Sequence, residues 1–175
     1  ETISVTVTPG VTHREVISFA MNNQYAASGS GLPENKGIRV LSDTRISVYA
    51  FNNRRASADA AVILPIQSIG KEYIVASHWE NRTDGAGNAN SQSEFLIVST
   101  QDNTEIEITP SERTRDNKPP NVPFSILLNQ GEVYQLQANA DLTGTLIKST
   151  SSNSQDCKNF AVFGGNKWTR VTGGE

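Results

Sequence analysis

The side chains that could carry nucleophilic or metal chemistry are few and far apart in the sequence. His13 and His78 are the only histidines, and neither has a second histidine or a cysteine at the spacing of a zinc site. Cys157 is the single cysteine, and the sequence identifies no base that would activate it. It is either a buried free thiol or half of a disulfide whose partner lies beyond residue 175. We therefore predict neither a metal centre nor a Cys–His catalytic pair.

Acidic and amide side chains also favour structural roles. Glu105 and Glu107 point to one face of a predicted strand, and a solvated face explains both, whereas the acid pair of a hydrolase would need a buried cleft. Asp84, Asn88 and Asn90 could offer oxygen ligands to calcium, but their spacing is not that of an EF-hand loop and is typical of turns. We expect a protein that is not an enzyme and needs no cofactor.

Aromatic residues beside polar loops point to binding. Tyr25 and Trp79 lie next to such loops and Trp168 lies near the carboxyl end, and a flat apolar ring with a polar rim suits recognition of a protein or a sugar. The alternative is that each ring covers one end of the folded domain. We predict a ligand-contacting surface on the loop of residues 79–91, at Trp79, Asn81, Arg82 and Asp84.

Composition excludes two classes of partner. The net charge is -3 and lysine and arginine form no stripe, so nucleic acid is not expected to bind. No apolar run approaches the roughly 20 residues that span a bilayer, so membrane insertion is not expected either.

Short runs rich in β-branched and aromatic residues, separated by turns, predict an all-β sandwich, in the style of a jelly roll or immunoglobulin fold, with little or no helix. Residues 101–104 and 129–132 are predicted to be tight hairpin connections. The predicted strands are residues 3–8, 15–19, 38–41, 46–51, 60–66, 73–77, 95–100, 106–108, 124–128, 133–137, 145–147 and 160–163.

Three pairs of these segments resemble one another and occur in the same order: residues 5–9 with 106–110, 37–42 with 144–149, and 46–49 with 160–163. The pattern predicts a tandem repeat of two β units. The first unit, residues 1–70, is a copy without its opening strands, and the second, residues 71–175, is complete; alternatively, both pack as one continuous domain. We expect the missing strands to leave an open strand edge near Val5.

Most of the chain is made up of stretches that match one known family: residues 33–43, 46–49, 57–60, 70–73, 95–104, 128–136, 141–145 and 157–165. Together they resemble the amino-terminal domain of the IgGFc-binding protein family. The resemblance implies a non-enzymatic extracellular module, secreted or on the cell surface, of the kind found in adhesins and mucus-associated proteins, here in a bacterial member. It favours a disulfide partner for Cys157 outside this sequence. It transfers no immunoglobulin-contacting residue.

Together these features predict an interaction or adhesion module of a larger protein. It would bind a protein or a glycan on another surface through its loops, beside neighbouring domains of the same chain. The alternative is a structural spacer or assembly subunit that pairs through an open strand edge.

Overall fold

The structure is a computed structural model, and it describes residues 2–17, 29–54, 57–80, 91–151 and 157–169. Within these ranges the only helical element is a 3-10 turn at Ile66–Ser68, and the regular structure is otherwise β-strand. The strands are β1 Pro33–Asn35, β2 Val48–Arg54, β3 Ser57–Ile63, β4 Glu72–Ile74, β5 Ser93–Ser99, β6 Thr104–Thr109, β7 Phe124–Leu128, β8 Glu132–Ala138, β9 Leu146–Thr150 and β10 Phe160–Asn166.

Eight of these strands form two four-stranded antiparallel sheets. The first sheet has the order β1-β8-β5-β10, and the second has the order β4-β9-β6-β7. The strands β2 and β3 pair only with each other among the described strands and form a separate two-stranded ribbon. The predicted all-β sandwich is confirmed.

The hydrophobic core lies between the two sheets because alternate residues of each strand point inward. In β5, every second residue from Ser93 to Ser99 is buried, and in β6 the buried positions are Thr104, Ile106 and Ile108. The side chains that make up the core are Val75, Phe95, Ile97, Ile106, Ile108, Leu128, Tyr134, Leu136, Ala138, Leu142, Ile147 and Phe160.

One side of the sandwich is closed by hydrogen bonds between the sheets. The Tyr73 hydroxyl in β4 donates to the carbonyl of Phe160 in β10 and accepts from the backbone N–H of Gly70, both at 2.7 Å. The two rings also meet, with centroids 5.1 Å apart and planes tilted by 59°. Tyr73 thereby joins the edge strand of the second sheet to the edge strand of the first.

The turns at residues 101–104 and 129–132 are tight, but they are not hairpins. The first joins β5 to β6 and the second joins β7 to β8, and in each pair the strands belong to different sheets. The two turns are bonded to each other, because the Asp102 carboxylate accepts from the Gln130 N–H at 3.0 Å and the Asn129 side chain accepts from the Asn103 N–H at 3.1 Å. The prediction of hairpins was wrong because local turn chemistry does not specify whether the next strand stays in the same sheet.

Two strands predicted in the first β unit are absent from the described structure. Residues 3–8 and 38–41 are not in a sheet, and Ile3, Val5 and Val7 are each nearly half exposed, at 48%, 48% and 46%. Alternation favours a strand, but a strand also needs a neighbour for its backbone hydrogen bonds, and no described strand pairs with these segments.

The open strand edge predicted near Val5 is therefore not found, because Val5 is not in a strand. The first sheet also draws on both halves of the chain, since β1 pairs with β8. The division into two repeated units stays a prediction, as does the strand predicted at residues 15–19: the part that is described, residues 15–17, is not in a sheet.

Candidate binding surface

Three chain segments meet at one end of the sandwich and bring both tryptophans there. The Asn166 side chain at the end of β10 donates to the carbonyl of His78 at 2.8 Å, and the N–H of Lys167 donates to the carbonyl of Gln92 at 2.9 Å. Residues 78–80 and 166–169 thus lie together, bonded to the buried segment at residues 91–93. We call this end of the sandwich, which includes Trp79 and Trp168, the tryptophan end.

The tryptophan end holds the two stems of the loop at residues 81–90. The Ser91 hydroxyl donates to the carbonyl of Glu80 at 2.9 Å, so that the residues before and after the loop are bonded together. The Thr169 hydroxyl donates to the Glu80 carboxylate at 3.1 Å and ties the segment after β10 to the same stem. The predicted contact residues Asn81, Arg82 and Asp84 lie outside the described residues, as does Tyr25.

The two indoles differ in exposure. Trp168 is 47% exposed, and its backbone N–H donates to the Asn166 side chain at 2.7 Å, which fixes the backbone that carries the ring. Trp79 is half-buried, and its Nε1–H is buried with no described residue accepting a hydrogen bond from it. A buried indole N–H ordinarily finds an acceptor, and leaving it unpaired is unfavourable.

Ser77 makes the base of the tryptophan end rigid. Its hydroxyl lies 2.7 Å from the hydroxyl of Ser93 and also bonds to the carbonyl of Gly165. The Thr143 hydroxyl accepts from the Ser77 N–H and donates to the Ser77 carbonyl, each at 3.1 Å. Ser77 therefore holds together four segments of the chain at the base of the tryptophan end.

Glu94 is the partly buried acid beside this base. Burial raises the pKa of the Glu94 carboxyl, although a hydrogen bond from Gln137 at 2.7 Å and the positive charge of Lys167 oppose the shift. The negative charge of Asp59 in β3 adds to the increase.

The residues weighed for catalysis lie apart from one another. His13 is 3.6 Å from the Glu15 carboxylate in an exposed segment, His78 is exposed, and Cys157 is half-buried in a loop. Glu107 is paired with Lys148 at 2.9 Å on the outer face of the second sheet, in line with the solvated role predicted for it. Among the described residues, no three potential metal-ligating side chains cluster together.

Sequence reasoning identified Trp79 and Trp168 but missed the polar residues that fix them, namely Ser77, Ser91, Asn166 and Thr169. Their partners are distant in sequence, and the only local signal was the polar run that follows β10. Within the described part of the chain, no helix is long and apolar enough to cross a membrane.

Comparison with known proteins gives one family and one relative. The family model described as IgGFc binding protein matches residues 59–175. A human protein described as IgGFc-binding protein is 27% identical over 150 residues, which is 84% of this chain and 3% of that protein. The chain thus spans a small part of the length of its relative. No solved structure matches the chain at a significant level.

Proposed function

Because this chain belongs to the IgGFc-binding protein family, we propose that it is a non-catalytic extracellular module that binds a protein partner through its tryptophan end. The module would serve as one of several domains in a longer secreted or cell-surface protein. The human relative supports this arrangement, because the region that matches this chain is only 3% of that protein. The partner named in the relative's description, the Fc part of immunoglobulin G, is the first candidate to test.

The observation that carries the proposal is the pair of tryptophans on a rigid base. Interfaces concentrate their binding energy in aromatic anchors that are held in place before the partner arrives. Trp168 offers an exposed ring on a fixed backbone. Trp79 is half-buried with its Nε1–H turned away from the surface, so it would contact a partner through the exposed part of its ring.

We expect Trp168→Ala to weaken partner binding by roughly 30-fold or more, since a hot-spot tryptophan contributes about 2 kcal/mol or more. The measurement is surface plasmon resonance against an array of secreted and cell-surface proteins that includes the Fc fragment. Leu127→Ala is the control, because Leu127 is 57% exposed on the other sheet.

Two results would contradict this proposal. One is that the folded protein binds nothing on the array. The other is that Trp168→Ala and Leu127→Ala leave the affinity for a captured partner equally unchanged.

The ribbon of β2 and β3 favours a second function, assembly through an open strand edge. Tyr49 lies opposite Val62 and Phe51 opposite Ala60, so these four side chains share one face. Three of them are largely exposed: Tyr49 at 69%, Val62 at 57% and Phe51 at 64%. Neither strand contains the lysine or proline that protects natural edges, and a two-stranded ribbon alone is only marginally stable in water. The occupant we infer for this edge is a strand of a second copy of the chain.

We expect the unmodified chain to form dimers at concentrations of roughly 100 μM, the range of a weak interface. Tyr49→Ser combined with Phe51→Ser should return it to a monomer, because the apolar face of the ribbon would be lost. Light scattering coupled to size exclusion measures both, with Leu127→Ser as a control for exposed apolar area. A chain that stays monomeric at every concentration would rule out this second function.

A further inference from the structure

An open, polar depression of about 520 Å³ lies at the same end of the sandwich as the tryptophan end, but it shares no residue with it. One wall is the loop that follows β6, residues 112–117, and the other is the segment that follows β8, Asn139 and Ala140. Sequence analysis gave this loop no role, because nothing in its composition distinguishes a binding wall from an ordinary connection.

Backbone hydrogen bonds fix the loop wall against the first sheet. Thr114 is buried, forms an isolated β-bridge with Ala138, and exchanges hydrogen bonds with Lys118 through both its backbone and its hydroxyl. The N–H of Arg115 donates to the carbonyl of Gln137 at 2.8 Å. The depression therefore has its shape before any ligand arrives, which lowers the entropic cost of binding.

Two arginines are the basic groups of the depression. Arg113 and Arg115 both line it, on either side of the buried Thr114. Neither guanidinium forms a salt bridge with a carboxylate of the described chain, although the same loop carries two acids: Glu112, which lines the depression, and Asp116, which accepts from the Thr114 hydroxyl. Two guanidinium groups in one lining are suited to a carboxylate or a sulfate group, which they bind through paired N–H donors.

The other lining groups indicate what carries the anion. Asn117 and Asn139 bring side-chain amides, each of which is both a donor and an acceptor and so matches hydroxyl groups. Ala140 is the only apolar residue in the exposed lining, so a ligand would make its contacts mainly with charged and amide groups. A small ligand with many hydroxyls and one negative charge fits this lining better than an acidic peptide does.

We propose that this depression binds an acidic sugar residue of a glycan, with its carboxylate or sulfate on Arg113 and Arg115 and its hydroxyls on Asn117 and Asn139. The site shares no residue with the tryptophan end and goes beyond the protein-binding function proposed there.

The test is calorimetric titration with five probes: a hyaluronan tetrasaccharide for the carboxylate, a chondroitin sulfate tetrasaccharide for the sulfate, neutral chitotetraose, inorganic sulfate, and a tetraglutamate peptide. We expect one or both acidic oligosaccharides to bind and chitotetraose not to bind. Arg113→Gln with Arg115→Gln should lower the affinity at least about tenfold, because both charge-assisted contacts are lost. The control is Arg39→Gln, which removes one positive charge from an exposed residue away from the lining. It should leave the affinity unchanged.

Binding should also weaken as salt increases, since charges at an exposed site are screened. Trp168→Ala should bind the acidic sugar like the unmodified protein, which separates a failure here from a failure of the protein-binding proposal. The inference is overturned if neither acidic oligosaccharide binds or if the double arginine variant binds equally well. It is also overturned if inorganic sulfate or a tetraglutamate peptide binds as tightly as the sugars.

Discussion

Phe160→Ala is expected to destabilise the domain by about 3–5 kcal/mol, the usual cost of removing a fully buried phenylalanine ring. Phe160 is completely buried, and its ring packs against Tyr73 at the closed side of the sandwich. The substitution would leave a cavity between the two sheets while keeping the carbonyl that accepts from the Tyr73 hydroxyl. Because whole domains are stable by only about 5–15 kcal/mol, this variant should unfold at much lower denaturant concentration.

The matched control is Phe51→Ala, which removes the same ring from a position that is 64% exposed. We expect its free energy of unfolding to change by no more than about 0.5 kcal/mol. Urea denaturation followed by circular dichroism measures both variants. An equal loss of stability in the two would mean that the ribbon, and not only the space between the sheets, contributes to the core.

Gly164→Ala is expected to cost about 1–3 kcal/mol or more, because a methyl group there would overlap a backbone carbonyl that cannot rotate away. Gly164 lies in β10, and a Cβ atom added to it would collide with the carbonyl oxygen of Ala76. Relief of that collision requires β10 and the segment that leads to Trp79 to move apart. Those two segments carry the tryptophan end, so partner binding should weaken together with stability.

The adjacent glycine provides the control. A Cβ atom at Gly165 would meet nothing within 4 Å, so Gly165→Ala should change the stability by no more than about 0.5 kcal/mol. Thermal unfolding of the two variants, with partner affinity measured on the same samples, tests the expectation. If Gly164→Ala is as stable as Gly165→Ala, the close approach of β10 to Ala76 is disproved.

The strands of the sandwich were largely predictable. The segment at residues 124–128 was predicted with the bounds of β7, and the buried positions of β6 follow the alternation visible in the sequence. The same alternation misled at residues 3–8, where Ile3, Val5 and Val7 lie outside the sheets. Periodicity reports which face of a strand could be buried, but it does not report whether a partner strand is present.

The candidate sites were only partly predictable. Trp79 and Trp168 were identified because large aromatics beside polar loops are recognisable in any sequence. Arg113 and Arg115 were not, because two arginines in a polar loop have the composition of an ordinary surface. Their common depression arises only when Thr114 pairs with Ala138, 24 positions further along the chain (138 minus 114).

The sequence by itself determined the all-β class, the positions of most strands from β2 onward and the residues that fill the core, because the alternation of apolar side chains is a local property. Only the tertiary structure decided which strands are neighbours, that the turns after β5 and β7 cross between the sheets, and that the tryptophans meet at one end. The physical reason is the range of the bonds involved. The Ser77 hydroxyl reaches a carbonyl at Gly165, 88 residues away, and no local pattern encodes a partner at that separation.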